Sequence, residues 1–401
     1  MEKATIRDIP SLKGKRVFIR ADLNVPQDAE GNITNDTRIR ESLATINYCI
    51  ENGAKVILCS HLGRPKSKND AQFSLKPVAT RLQEFLPSVK ITMANDCIGS
   101  EVEKQVEALQ PGEILVLENI RFYEEETDND AEFAEKLSEL ADYYVNDAFG
   151  AAHRAHASTA GIAEYLPSVA GFLMEKEINF LGSAINNPKR PLTVIIGGAK
   201  IADKISVLNN LLDIADTIII GGGMTYTFVK AQGGAIGNSI VDDDKLDYCK
   251  EVIAKARAKG VKMLFSVEEV IADKFCADAK TKVVDVHKIP VGWMGLDLGP
   301  KSIENIKNAI KDSGTIIWCG PLGAFEFEKF ANGTREVARA ITQTNAVTIV
   351  GGGDSASAVI SLGYGDKFTH ISTGGGASLE LLEGKTLPGV AALYDKDEKI
   401  K

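Results

Sequence analysis

Arginine and histidine recur where short apolar runs end in the first half of the chain. "RVFIRADLN" carries Arg20, Asp22 and Asn24, and "KVILCSHLG" leads to His61 and Arg64. "EILVLENIRF" carries Arg121, and "DYYVNDAFG" leads to His153, Arg154 and His156. Arg38 lies in the polar turn "NDTRIR", and nine of the thirteen arginines precede residue 171. A guanidinium presents a planar fork of donors that matches carboxylate and phosphate oxygens two at a time. One such arginine is equally read as a solvated surface charge. A set at four successive strand ends points to a site for a small, highly charged anion. The histidines fit hydrogen bonding to that anion or to backbone. The H-x-x-H at 153–156 lacks the intervening Glu and third ligand of a zinc site. No Ser–His–Asp arrangement is evident.

The second half ends its apolar runs in glycine instead: "LTVIIGGAK", "TIIIGGGM", "TIIWCGPLG", "VTIVGGGD" and "FTHISTGGG". Glycine lets backbone N–H groups approach an anion, and a following helix N-terminus adds a favourable dipole. One such turn is ordinary punctuation. Five of them point to a phosphate or nucleotide surface. Lys200 and Lys204, four apart, could share a helical face. One of them could reach a transferring phosphate, or both are solvated. Asp354 in "GGGDSA" puts a carboxylate where a phosphate should bind. The residues alone leave open what it does there. Neither G-x-x-x-x-G-K-[ST] nor G-x-G-x-x-G fits the stretch, and the lack of G-x-G-x-x-G after the first strand argues against a nicotinamide-dependent dehydrogenase.

These residues need elements to position them. The runs are rich in Val and Ile and apolar on both faces, as buried parallel strands are. They alternate with helix-length segments such as "AEFAEKLSELA", so βαβ units are expected. The expected fold is α/β, with two doubly wound, Rossmann-like parallel sheets and ligands beyond the carboxyl ends of the strands. A length of 401 residues suits two domains. "GFLMEKEINFLGSAINN" at 171–187 has the apolar spacing of an amphipathic helix, stopped by Pro188 and Pro191. It reads either as the linker between the domains or as a further layer helix.

A net charge of −9 gives no basic footprint for nucleic acid. The six cysteines are scattered without a C-x-x-C pair, which suits a reducing cytosol. The first residues lack the apolar core of a signal peptide, and no apolar stretch approaches a membrane span.

Ten stretches then carry a resemblance over essentially the whole chain. They are "RADLNVP" at 20–26, "SHLGRP" at 60–65, "LENIRF" at 117–122, "NDAFGAAHRAHAS" at 146–158, "GGAKIADK" at 197–204, "GGGM" at 221–224, "GWMGLDLGP" at 292–300, "GPLGAFEFE" at 320–328, "GGGDSA" at 351–356 and "STGGGASLELLEGK" at 372–385. In this order they resemble the phosphoglycerate kinases. The resemblance implies reversible phosphoryl transfer between 1,3-bisphosphoglycerate and Mg-ADP, giving 3-phosphoglycerate and ATP. It implies a phosphoglycerate domain at 1–170, a hinge helix at 171–187 and a nucleotide domain at 188–385. A tail at about 386–401 would pack back on the first domain.

By the same resemblance, Asp22, Asn24, Arg38, His61, Arg64, Arg121 and Arg154 bind the substrate. Arg38, Lys200 and Gly375 act on the transferring phosphoryl group. Gly198, Lys200, Lys204, Gly221, Gly222, Leu296, Pro321, Glu326, Gly353, Asp354, Ser355, Gly374, Gly375 and Gly376 serve the nucleotide. Glu326 matches the ribose carboxylate and Asp354 the magnesium ligand. A monomer in the cytoplasm is implied, with no membrane or nucleic-acid partner. The chain departs from the family at Cys319, which stands where Asn is usual, so "WCGP" replaces "WNGP". An amide contact to the nucleotide would be lost there, or replaced by backbone or water. Cys319 would be open to oxidation if exposed and of low pKa. Ser355 stands for a common Thr and keeps the hydroxyl.

Overall fold

A computed structural model describes residues 2–68 and 70–400. Contacts divide the chain into two compact units, 1–179 with 386–401, and 180–385.

The first unit is built on β1 (Arg16–Ala21), β2 (Lys55–Cys59), β3 (Ile91–Met93), β4 (Ile114–Val116), β5 (Tyr143–Asp147) and β6 (Ser168–Ala170). They form one sheet in the order β3-β4-β2-β1-β5-β6, every pair parallel. The central strands are buried on both faces, which is what their unbroken apolar runs require. The chain passes from β1 to its neighbour β2, jumps to the edge at β3, steps back in to β4, and then crosses to β5 and β6 on the other side of β1. The order reverses between β1 and β5, which opens a crevice at their carboxyl ends. Arg20 sits in that centre, in register with Cys59 on one side and Asn146 on the other. The C-terminal stretch belongs to this unit. Gly389 N–H donates to Ala152 O at 2.8 Å and Tyr394 N–H to Ser168 O at 3.0 Å. Lys401 lies outside the described residues.

Residues 172–186 are helical, but not as one α-helix. Phe172–Glu177 and Ser183–Asn186 flank a π turn at Ile178–Gly182. The π turn carries the wider i→i+5 bonding of a bulge, and the unit boundary falls inside it, after Asn179. In the first unit the Phe172 ring stands edge-on to Tyr48, centroids 5.2 Å apart. In the second, Phe180 stacks on His370 at 5.0 Å.

The second unit continues with β7 (Leu192–Ile196), β8 (Thr217–Ile220), β9 (Ala235–Ile236), β10 (Lys262–Leu264), β11 (Glu268–Ala272), β12 (Thr281–Asp285), β13 (Lys288–Ile289), β14 (Met294–Leu298), β15 (Thr315–Cys319), β16 (Val347–Gly351) and β17 (His370–Ile371). Its main sheet has the order β10-β8-β7-β15-β16-β17, all parallel, with the reversal between β7 and β15. A three-stranded antiparallel sheet, β12-β11-β14, and a β13-β9 pair were not foreseen. "KMLFSVEEV" reads as one strand but is two, β10 and β11. The break is held by Ser302, whose hydroxyl accepts from the N–H of both Val267 and Glu268 at 2.9 Å. Beyond it the chain leaves the main sheet and pairs antiparallel.

Candidate active site

In the first unit the carboxyl end of the sheet gathers cations round one acid. Asp22 follows β1 and is nearly buried, and it accepts a hydrogen bond from Arg38 Nη1. Gly150 makes room for it, because a Cβ there would lie 2.5 Å from Asp22 Oδ2. Asn24 Oδ1 accepts from Gly63 N–H at 2.8 Å, and Arg121 Nη1 donates to Gly63 O at 3.0 Å. Both contacts fix the "HLGRP" turn. Arg121 Nε is buried without a partner. Burial, with Arg20 next to it, lowers the Arg121 pKa to about 10. Burial also lowers His156 to about 4, and Arg121, Arg20 and Arg154 add to it. Like charges crowded this way are a standing cost that an incoming anion relieves. Arg64 and Arg154 are exposed, and Arg154 Nε donates to His153 Nε2 at 3.2 Å.

Arg20 is different from the other arginines. It looked like a strand-end arginine open to an anion, yet it lies inside β1 and is fully buried. Its donors are spent on Ser158 Oγ, Ala21 O and His61 Nδ1.

In the second unit a cavity of about 600 Å³ lies at the reversal point between β7 and β15. Gly198, Gly222, Leu296, Pro321, Glu326 and Asp354 line it, as the sequence suggested. Close backbone approach builds its floor. A Cβ on Gly222, which has φ +65°, would lie 2.8 Å from both Gly198 N and Pro321 O. A Cβ on Gly320, φ +95°, would lie 2.2 Å from Gly197 O. Asp354 opens the helix Gly353–Ser361 and is exposed, with no ion pair among the described residues. Lys200 and Lys204 also lack ion pairs there. They do not share an α-helical face, because Lys200 precedes the 3₁₀ turn Ala202–Lys204.

Three expected nucleotide residues lie beneath or beside the cavity rather than in its wall. Gly221 is buried, and a Cβ there would press on Leu322 Cδ2 at 2.3 Å. Ser355 is buried, and its hydroxyl accepts from Gly320 N–H, bracing the turn after β15. Gly353 is exposed at the start of its helix. Gly374, Gly375 and Gly376 form the turn into the helix Gly376–Leu382 and are not in the lining. Cys319 is fully buried in β15, and burial pushes its thiol up to about 12. The exposed, low-pKa reading of that thiol is therefore wrong.

Sequence reasoning missed several lining residues, among them Tyr226, Asn238, Phe275 and Met294. Tyr226 had a signal, three residues after the last glycine of "GGGMTY". Phe275 had none, since "DKFCAD" carries no turn or periodic cue. Tyr226 OH donates to Glu269 Oε2 at 3.0 Å, and burial pushes Glu269 up to about 8. Gly295 admits the tyrosine, because a Cβ there would fall 1.9 Å from its hydroxyl.

A family model described as phosphoglycerate kinase matches residues 6–385. The chain belongs to the phosphoglycerate kinase family. It is 57% identical over 386 residues to the cytosolic phosphoglycerate kinase 3 of Arabidopsis thaliana, covering 95% of this chain and 96% of that one. It is 55% identical to the phosphoglycerate kinase of Synechococcus elongatus, covering 98% and 100%. The solved phosphoglycerate kinase of Coxiella burnetii superposes with a TM-score of 0.90 at 40% identity, covering 97% and 98%. That of Pyrococcus horikoshii gives 0.82 at 32% identity, with the same coverage. The chain is thus a phosphotransferase with a carboxyl group as acceptor. Its reaction is the phosphoglycerate kinase one, reversible phosphoryl transfer between 1,3-bisphosphoglycerate and ADP. Phosphoglycerate kinases use the nucleotide as its magnesium complex.

Proposed function

We propose that the first unit holds 3-phosphoglycerate and 1,3-bisphosphoglycerate and that the second holds the magnesium nucleotide. The contrast in charge carries this reading. The first unit gathers Arg38 and Arg121 near Asp22 and His61, with Arg154 beside them and Arg64 exposed on the "HLGRP" turn, a setting for a small polyanion. The second offers a glycine-walled, largely apolar cavity with Asp354 at its edge.

The attacking atom is a phosphate or carboxylate oxygen that is already anionic, so the chemistry needs no general base. Positioning and charge neutralisation carry the rate. Arg38 stabilises the equatorial oxygens of the transferring group. Lys200 and the N–H groups of the Gly374–Gly376 turn share that task. Lys204 serves the nucleotide phosphates and Glu326 the ribose, while Gly222, Leu296 and Pro321 pack on the base. Asp354 suits magnesium, as an exposed carboxylate in the cavity lining without a protein cation to neutralise it. One carboxylate is enough for an ion that arrives on phosphates and keeps its waters. When bound, the ion neutralises phosphate charge. Because each substrate has its own unit, transfer requires a closing motion, for which residues 172–186 are the hinge. We also infer a monomer working in the cytosol, a location that some relatives carry in their names and others do not.

A coupled assay with 3-phosphoglycerate, Mg-ATP and a reporter for 1,3-bisphosphoglycerate tests the division of labour. Arg121→Ala should raise the KM for 3-phosphoglycerate and leave that for ATP unchanged. Lys204→Ala should do the reverse. Equal effects of either variant on both substrates would overturn the assignment.

A further inference from the structure

His61 is buried at the carboxyl end of β2, and its two ring nitrogens have different surroundings. Nδ1 faces Arg20 Nη2 at 3.2 Å. No hydrogen bond to Nε2 is found among the described residues. A guanidinium carries only donors and keeps its charge. Nδ1 must therefore present its lone pair to Arg20, and the ring proton must sit on Nε2. Protonating the ring would set an N–H against an N–H.

Arg20 is itself held fast. Nε donates to Ser158 Oγ at 2.7 Å and Nη1 to Ala21 O at 2.7 Å. The buried Glu126 is its counter-ion, with Oε1 at 3.9 Å from Nη2. Glu126 accepts from Ser158 Oγ at 2.6 Å and from Ser158 N–H at 2.8 Å. Arg20, Ser158 and Glu126 thus close a buried ring of contacts behind the histidine. Glu126 belongs to the run "YEEET", which reads as a solvated acidic surface, so its role is invisible in the sequence.

We propose that Arg20, braced by Glu126 and Ser158, is a positioning residue that locks His61 in its neutral, Nε2-protonated form, so that Nε2–H is a fixed uncharged donor to the bound anion. The anion is 3-phosphoglycerate or 1,3-bisphosphoglycerate, a clause that rests on the reading given above. The charged groups round the ring favour the same state. Burial disfavours a charged ring first, and Arg20 on β1, Arg121 on the 120–122 turn, Arg38 on the helix Thr37–Glu51 and His156 add to it. Asp22 and Glu126 are the nearby acids, and each is already engaged by an arginine. The advantage is constancy. A histidine near its ordinary pKa would change charge across the physiological range, whereas this one gives the same hydrogen bond throughout.

The ¹⁵N spectrum of the full chain tests this directly. There are five histidines, and His61→Gln identifies the signal. In the ligand-free protein, Nδ1 should show the shift of an unprotonated nitrogen and Nε2 that of an N–H, unchanged from pH 8 to pH 5.5. An imidazolium, or an Nδ1–H tautomer, in that range would overturn the proposal. Arg20→Met alone would strand Glu126 as an unpaired buried charge, so the variant to use is Arg20→Met with Glu126→Gln, checked for folding by circular dichroism. In it the His61 pKa should rise from its native position, although burial still holds it down, and the KM for 3-phosphoglycerate should gain a pH dependence on the acid side that the native protein lacks. At pH 8 that KM should rise about tenfold, the scale of one hydrogen bond to a charged group, with the KM for ATP unchanged. A folded double variant whose His61 keeps both the native tautomer and the native pH response would also overturn it. Adding 3-phosphoglycerate to the native protein separates this proposal from the reading beneath it. If the ligand binds and His61 Nε2 does not move, the substrate assignment fails while the tautomer lock stands.

Discussion

Arg38 donates a hydrogen bond through Nη1 to the carboxylate of Asp22, across the turn that follows β1. The arginine assigned to the transferring phosphoryl group is therefore aimed by an acid, and the acid has its space because residue 150 is glycine. An exposed arginine would have to be ordered at the moment of reaction. This one is half-buried and partly ordered beforehand.

Arg38→Ala should therefore lower kcat by on the order of 10³-fold or more, the loss seen when an arginine leaves a phosphoryl-transfer site. Asp22→Asn keeps an acceptor for Arg38 but removes the charge, and should cost much less. Steady-state kinetics at saturating substrates checks both. A loss for Asp22→Asn as large as that for Arg38→Ala would mean that Asp22 touches the substrate itself.

Asp354→Ala should weaken binding of Mg-ADP and leave metal-free ADP and 3-phosphoglycerate nearly unchanged. Titration calorimetry with and without magnesium reads the difference. If metal-free ADP weakens equally, the carboxylate contacts the nucleotide rather than the metal.

The buried acid behind the nucleotide cavity makes a pH prediction. Glu269 is pushed up to about 8 by burial, with nearby Asp297 adding to it. In the folded state it holds its proton well above the ordinary carboxyl range, while in the unfolded chain it has lost it. The folded state thus binds more protons, and stability falls as pH rises from the ordinary carboxyl range to about 8, by up to ~1.4 kcal/mol per pH unit. Glu269→Gln should flatten that slope and raise Tm at pH 9 while changing little at pH 5. Part of the slope should remain, because burial also pushes Asp297 up to about 7. Thermal melts of both proteins at pH 5, 7 and 9 decide it.

Cys49, Cys59, Cys97, Cys249 and Cys319 are buried, and Cys276 is the half-exposed one. Burial raises the thiol pKa of each of the five. A thiol reagent at pH 8 should therefore modify one cysteine per native chain quickly, and all six after unfolding. Mass spectrometry should place the label on Cys276. Fast labelling of Cys319 would contradict its burial in β15.

Cys319→Asn should change the KM for nucleotide by no more than about tenfold, the scale of one neutral hydrogen bond. Its cost should appear in stability, because the side chain lies in the sheet. A Cβ on Gly351 would already stand 3.2 Å from Cys319 Sγ, so the larger amide has little room.

Much of the architecture was legible in the chain. Unbroken Val- and Ile-rich runs ending in polar or glycine residues located the inner strands of both parallel sheets, because a strand covered on both faces has no polar side to show, but the edge strands Ile91–Met93 and Ser168–Ala170 carried no such run. Arg121, Gly198 and Gly222 were legible as candidates because loops after such strands carry function, and Asp354 because it opens the helix after one; Arg38 reads as part of a polar turn but lies on the helix Thr37–Glu51. The sequence could not say which face of a run a residue would occupy. Arg20 and Arg121 look alike in the chain, yet one is buried behind His61 and the other reaches the "HLGRP" turn. Glu126 and Glu269 sit among other acids, and nothing local marks either as a partnered, buried carboxylate. Only the packing of Ser158 and Tyr226 against them shows otherwise. The split of "KMLFSVEEV" into two strands had the same cause. Pairing direction is decided by partners distant in the chain, here the Ser302 side-chain hydroxyl and the backbone of the strand Met294–Leu298, and no local pattern encodes them. The residues and their order determined the family and its chemistry. Tertiary structure decided which charges meet, because burial and hydrogen-bond partners come from segments far apart in the chain.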